Sequence, residues 1–442
     1  MSDTRTLAHQ ASRVPRPLVL GVVLAALLLL APRTEMRAAG PIQVERLANG
    51  LTLVVEERPG ALGIGVVLAV RAGTRDDPPG HEGETALLAR MLTGGSVSRP
   101  STLELFGPVR GTGGGVDYSV DPDLTRFAAL VPAGELATAV GTLGELVRNP
   151  RFGVADAVEA LDETLSGAAV DVDPDLAPVL WPEHPAGRPG TGTEESLASV
   201  TFPDLLTLHR VAYTARNMTL AVAGPVTLAS VRAAAEEAFG ALPSGAYRAI
   251  RPSLAAATVG ERRMFPGRGE QATVLMAFAT AGITSDDFAA LQLITLLLSG
   301  PDGRFFADVR SDHGLARDVD AAALTFVDVG ALLAFARVQP ANVDAAIDRL
   351  FDVIARLAGE PLDSATLARL RERYAGELVV RRETALTRAA ELASRTALGL
   401  PGDDQRDLAA LAAVTPAEIQ TVVRRYLTPD RAIIHVIRPA TR

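Results

Sequence analysis

The chain of 442 residues contains no cysteine. Disulfides, thiolate metal sites, a cysteine nucleophile and an acylated amino-terminal cysteine are therefore excluded. Aromatic residues are scarce, at 4%, so Ala, Leu and Val must fill the cores. Histidine is rare too, with six in the chain, and no two have the spacing of paired metal ligands. Positive charge is in deficit: the net charge of −9 argues against general affinity for nucleic acid or an anionic membrane surface. What is abundant is apolar. A content of 48% hydrophobic and 21% charged residues is that of a globular protein, and the length suits two or three domains.

One apolar run stands apart. Arg5, Arg13 and Arg16 precede "LVLGVVLAALLLLA", residues 18–31. It is short for a spanning helix and suits the core of a signal peptide. The small residues Ala38 and Ala39 follow. Residues 1–39 are expected to be a signal peptide that sends the protein to the periplasm. The alternative is an uncleaved inner-membrane anchor through residues 18–31, which would be the only membrane contact.

The rest of the chain is written twice. "TFPDLLTLHRVAYTARNMTLAVAGP" (201–225) aligns without gaps with "TPAEIQTVVRRYLTPDRAIIHVIRP" (415–439). Each predicts a Thr N-cap with acid in the first turn, an amphipathic helix, a short turn and a strand. The helix starting near Pro132 resembles the one starting near Pro340, with Val140, Leu143 and Val147 matching Ile347, Leu350 and Ile354. A period of roughly 210 residues is too long for a solenoid and implies two copies of one domain.

"VERLANGLTLVVEE" predicts a hairpin about Asn49-Gly50, and "IGVVLAVRAGT" a third strand. Helices over 82–93 and 101–110, then strands around 115–131, follow. Strands and helices run in blocks, which predicts an α+β fold: in each copy a mostly antiparallel sheet with helices packed on one face. The expected organisation is a first domain over 41–242, a Pro-, Ala- and Gly-rich linker over 243–261, and a second domain over 262–440. "GTGGG" at 111–115 lacks the Lys-Ser/Thr of a phosphate loop and reads as a tight turn. Ser101, Ser119 and Ser166 lack a nucleophile elbow. His81 and Glu82 read as a solvated loop, His209 and His435 as packing residues, and Trp181 and Tyr213 as packing against the helices of the first copy.

Five ordered segments, "NGLTLVVEERPGA", "VRAGTRDDPPGHEG", "LVRNPRF", "HPAGRPGTGTEESL" and "NMTLAVAGPV", resemble the pitrilysin/insulinase family of zinc metallopeptidases, its processing-peptidase branch included. The resemblance covers about residues 41–439. It implies an H-x-x-E-H helix in which two His hold zinc and the Glu is the general base, with a distal Glu completing the ligands. Laid on "GETALLARML" (83–92), the pattern puts the first His at Ala86, the base at Ala89 and the second His at Arg90. The distal Glu falls at Ser166 or Gly167, and a small gap would move it to Glu163 or Glu159. Alanine has no donor atom, and arginine is a permanent cation. Relative to the family, the metal site has been emptied, so no cofactor is expected in this chain. Arg90 is instead expected to pair with Glu159, Asp162 or Glu163.

In the second copy, the resemblance implies an Arg and a Tyr that hold peptide. The Arg is Arg310, whereas the Tyr position is Arg317. "LLSGPDGRFF" (297–306), with Gly300 and Gly303, stands where the family has a glycine-rich substrate loop; a plain turn between helices is the alternative. The implied function is a non-catalytic homologue, the partner subunit of an intact zinc-binding peptidase, acting as a heterodimer on peptide or unfolded protein in the periplasm. Zinc would then belong to the partner alone. The alternatives are a scaffold protein like the respiratory-complex core proteins, and an active peptidase with a relocated metal site.

Overall fold

Two apolar runs of the first copy, GIGVVLAV and MTLAVAG, become adjacent antiparallel strands that are buried almost throughout. Strands without a polar face need cover on both sides of their sheet, and this requirement organises the molecule. The computed structural model describes residues 40–93, 100–148, 176–246, 259–267, 269–400, 402 and 404–439. The expected leader, most of the expected linker, Ser166 and Gly167, and the acids at 159, 162 and 163 lie outside these residues. All the described residues belong to one compact unit. None of the described helices is long and apolar enough to cross a membrane.

The first copy runs β1 (Ile42–Arg46), β2 (Thr52–Glu57), β3 (Gly63–Val70), α1 (Glu84–Thr93), α2 (Pro100–Gly111), β4 (Gly115–Val120), β5 (Thr125–Pro132) and α3 (Leu136–Arg148). After undescribed residues come α4 (Leu176–Leu180), α5 (Glu194–Ser199), α6 (Phe202–Ala212), β6 (Met218–Gly224) and α7 (Leu228–Phe239). The second copy runs β7 (Glu261–Gly267), β8 (Ala272–Ala281), α8 (Phe288–Leu298), β9 (Ala316–Thr325), β10 (Val329–Val338) and α9 (Val343–Gly359). It continues through α10 (Ser364–Arg381), α11 (Ala385–Ala397), α12 (Asp404–Ala413), α13 (Pro416–Tyr426) and β11 (Ile433–Pro439).

The sheet orders are β1-β2-β6-β3-β5-β4 and β7-β11-β8-β10-β9. Without β1 they are the same order, and in each the one parallel pair is the same, β2 with β6 and β7 with β11. The α+β fold is therefore present twice. Helices α6 and α13 are each 11 residues long, each with a Thr N-cap and a proline in the first turn. Thr201 N–H donates to Asp204, and Thr415 N–H to Glu418, so both helix starts are capped reciprocally. The expected hairpin forms with Arg46 opposite Thr52. Gly50 takes φ +98°, which a side chain rarely adopts. Asn49 donates to the carbonyl of Phe239 at 2.8 Å, tying that turn to α7.

On one face of each sheet sits the copy's own helical layer. Leu88 of α1, Leu143 of α3 and Phe239 of α7 fill the first core. Leu293 of α8, Leu350 of α9 and Val423 of α13 fill the second. The other face is covered by the opposite copy. Ala389, Leu392 and Ala393 of α11 pack on Val54, Val67 and Ala221 of the first sheet. Leu176, Leu180 and Trp181 pack on Ala277, Ala331, Leu333 and Ile433 of the second. Gly65 permits this approach: a Cβ there would lie 2.4 Å from the Ala385 carbonyl oxygen. Arg388 of α11 is buried and paired with Glu56 of β2 and, at 3.0 Å, with Glu391.

This exchange corrects one expectation. Tyr213 does pack in the first core, 6.2 Å from Phe127 between ring centroids. Trp181 does not. Its ring lies 5.5 Å from Phe326, and its Nε1–H donates to the Gly330 carbonyl at 3.1 Å, both in the second copy. Among the described residues, no helix of the second copy covers that sheet's outer face, and the indole fills it beside Leu176 and Leu180. Trp181→Ala is expected to lower unfolding free energy by about 3–5 kcal/mol, the range for deleting a buried large aromatic. Because the copies cover each other, urea unfolding should stay a single transition by far-UV circular dichroism. Two separated transitions would contradict the mutual dependence.

Candidate functional site

Helix α1 begins where a buried carboxylate collects its unpaired donors. Asp77 accepts from Gly83 N–H at 2.9 Å, Thr85 N–H at 3.0 Å and the Thr85 hydroxyl at 2.5 Å. A carboxylate at a helix start satisfies the orphan N–H groups and suits the helix dipole. The helix starts two residues later than the 82–93 expected, because residues 77–83 form this cap. Leu87, Leu88, Met91 and Leu92 then bind α1 to the first core.

The positions where the resemblance places zinc chemistry follow from this orientation. Ala86 and Arg90, four residues apart, share one helix face and are half-buried. Ala89 has no exposure at all and belongs to the first core. A group that activates water needs contact with water, and position 89 has none. Among the described residues, no group of three or more His, Asp or Glu could hold a metal. Alanine without a donor atom and a permanently charged arginine do not fit the ion. The expected pairing of Arg90 with acids at 159–163 falls outside the described residues.

The described histidines have partners of their own. His81 Nδ1 lies 3.5 Å from Glu84, a carboxyl that burial raises above its ordinary value despite the His81 contact. Glu82, beside it, accepts from Gly80 N–H at 3.1 Å. His209 stacks on Tyr213 at 5.0 Å and contacts the Val147 carbonyl. His313 Nδ1 lies 2.8 Å from the Asp308 carbonyl, and His435 is fully buried against Phe265.

Sequence reasoning missed a buried polar chain between the copies. The β4–β5 and β9–β10 turns carry Asp123 and Asp328, and the two turns meet on Arg75. Arg75 Nη2 lies 2.7 Å from Asp123 and 2.9 Å from Asp328. His184 Nδ1 accepts from Ala186 N–H, so its proton is on Nε2, which donates to Asp328 at 3.3 Å. Val327 N–H donates to Asp123 at 2.9 Å. The duplication offered a signal, since both acids lie in matching turns of the two copies.

In the second copy, Arg310 is exposed, 4.8 Å above the Phe306 ring and 3.9 Å from Asp318. Arg317 is also exposed, on β9. Gly300 has φ +78° and donates its N–H to Asp320 at 2.7 Å. A Cβ on Gly303 would fall 2.4 Å from the Leu298 carbonyl oxygen. Both glycines are thus demanded by the turn that follows α8.

Two family models match the chain. One, insulinase (peptidase family M16), matches residues 53–169, and the other, peptidase M16 inactive domain, matches residues 199–374. An uncharacterised zinc protease of Mycobacterium leprae is 29% identical over 351 residues, covering 76% of this chain and 77% of that protein. The mitochondrial-processing peptidase subunit beta of Blastocladiella emersonii is 25% identical, covering 65% of each. A crystal structure of a peptidase M16 inactive domain from Pseudomonas fluorescens has the same fold, with TM-score 0.81 at 18% identity. It spans 91% of this chain and 98% of that one.

Two carboxyls of this region titrate near neutrality. Burial raises Asp77 to about 7 against its hydrogen bonds from Thr85 and Gly83, and Asp123 to about 6 against the Arg75 cation. The folded chain holds both protons more tightly than the unfolded chain. Their contribution to stability is complete below the unfolded value of 3.8 and is lost as pH rises through 6 and 7. Urea midpoints are expected to fall between about pH 4 and 7 and to level off above. Asp77→Asn, which keeps an acceptor at the helix start, should flatten that slope; an unchanged slope would rule Asp77 out as its source.

Proposed function

The chain belongs to peptidase family M16, the insulinase/pitrilysin family, and within it we propose that this protein is a non-catalytic homologue, the partner subunit of an active zinc peptidase. The observation that carries the reading is α1. Its cap, core contacts and place in the fold are intact, while its three chemistry-bearing positions are Ala86, Ala89 and Arg90. A helix kept in detail without ligands points to a role that needs the surface and not the metal.

A relative named as a subunit of a processing peptidase supports the partnership. In this reading, the two chains enclose a peptide chamber, and zinc sits only in the partner. Arg310 would face that chamber: it is exposed and weakly held by Asp318. From there it would donate charge-assisted hydrogen bonds to substrate carbonyls or carboxylates. The apolar run at 18–31 behind three arginines supports export to the periplasm as the place of work.

The purified chain is expected to hold no stoichiometric zinc by elemental analysis and to cleave no peptide. Arg90→His alone should restore neither, since the other positions still lack donors. One equivalent of zinc that survives dialysis would overturn the reading.

Co-expression with an intact H-x-x-E-H homologue should give a heterodimer on size exclusion, burying more than roughly 1,500 Å². Arg310→Ala should then lower the partner's kcat/KM about tenfold or more while assembly is kept, the scale of one lost charge-assisted hydrogen bond. Separate monomer peaks with a fully active partner would leave a scaffold role in its place.

A further inference from the structure

We propose that the second copy holds a binding site for a small carboxylate with an apolar body, in a cavity of about 460 Å³ between α8, β9, α10, α11 and α12. The site is remote in sequence from α1, and the proposal stands whether or not the chain partners a peptidase. The volume is within the roughly 300–1,000 Å³ of small-ligand pockets.

The apolar wall comes from three helices: Phe288 and Ala289 of α8, Leu378 of α10, and Ala410 and Leu411 of α12. This wall suits a hydrocarbon body and gives a sugar or nucleotide little to bond. The acids on the lining are already committed. Glu391 accepts from Arg382 Nε at 2.7 Å, and Asp407 from Arg395 Nη2 at 2.9 Å. Burial works to raise the Glu391 carboxyl, yet Arg382 and Arg388 outweigh it and hold the group below its ordinary value. Neither acid is therefore open to a ligand cation.

The donors are not committed. Arg381 lies 5.6 Å above the Tyr374 ring, and among the described residues no carboxylate pairs with it. The side-chain amide of Gln292 and the hydroxyls of Thr325 and Tyr374, which also line the cavity, make no hydrogen bond among the described residues. Ser394 also lines the cavity and accepts from Arg126 at 3.3 Å, so among the described residues the lining presents one cation without an acid partner, three neutral polar side chains without a hydrogen bond, and no free anion. A single guanidinium matches a planar carboxylate by its two-pronged geometry. One uncommitted charge is too little for a polyphosphate.

Two sources supply this chemistry, a fatty acid and a peptide's carboxyl-terminal residue with an apolar side chain. Isothermal titration of the purified full chain with N-acetyl-Leu-Phe, its carboxyl-terminal amide and decanoate separates them. At least one of the two carboxylates is expected to saturate with a Kd below about 1 mM, and for the peptide the amide should bind at least about tenfold more weakly. Saturation by the peptide acid alone identifies a peptide terminus, and by decanoate alone a fatty acid. Arg381→Gln should weaken binding about tenfold or more, Arg381→Lys less, and Ala410→Trp should abolish it by filling the cavity. Unchanged thermal midpoints for the two Arg381 variants show that they fold, so the test does not depend on Ala410→Trp. No saturation by either carboxylate up to about 5 mM, equal binding of acid and amide, or affinity indifferent to Arg381→Gln would overturn the proposal.

Discussion

The rest of this structure depends on two sheets whose central strands are apolar on both faces. Strands β3 and β6 have no polar side, and among the described residues the outer face of each sheet is covered by the opposite copy. The solution is exchange. Helix α11 leaves its copy to cover the first sheet, while α4 and Trp181 leave theirs to cover the second. Burying apolar area is the dominant favourable term in folding, so this exchange binds the two copies into one cooperative unit. The buried Arg388–Glu56 pair and the Arg75–Asp123–Asp328 chain cross the same boundary. Ion pairs of this kind add little net stability, but they penalise arrangements that leave one partner alone.

That architecture explains how α1 keeps its place with Ala86, Ala89 and Arg90 along it. Helix α1 is held by Asp77 at its start and by Leu87, Leu88, Met91 and Leu92 along its inner side. None of these contacts involves a zinc ligand. Ala86 and Arg90 sit on a half-buried face of α1, apart from these core contacts.

Much of this was legible in the sequence, and what was not shares a cause. The duplication was legible because Thr201 and Thr415 cap helices of the same length ahead of matching strands. That Ala86, Ala89 and Arg90 offer no zinc donor was legible, because residue type alone decides whether an atom can bind zinc. Trp181 was misplaced, since an indole's local pattern carries no record of which sheet it will meet. Arg75 and His184 went unnoticed because their partner Asp328 lies far along the chain. Arg381, Gln292 and Thr325 line one cavity only after α8, β9 and α10 have packed.

By itself, the sequence determined the repeated α+β order, the Thr-capped helix starts and the Asn49-Gly50 turn, and the absence of zinc donors at Ala86, Ala89 and Arg90. These are local properties, set by capping, periodicity and side-chain chemistry within a few residues. Only the tertiary structure decided which copy covers which sheet, that Ala89 is sealed from water, and which arginines keep an acid partner. Those outcomes follow from burial and proximity between segments hundreds of residues apart, and no local pattern encodes such distances.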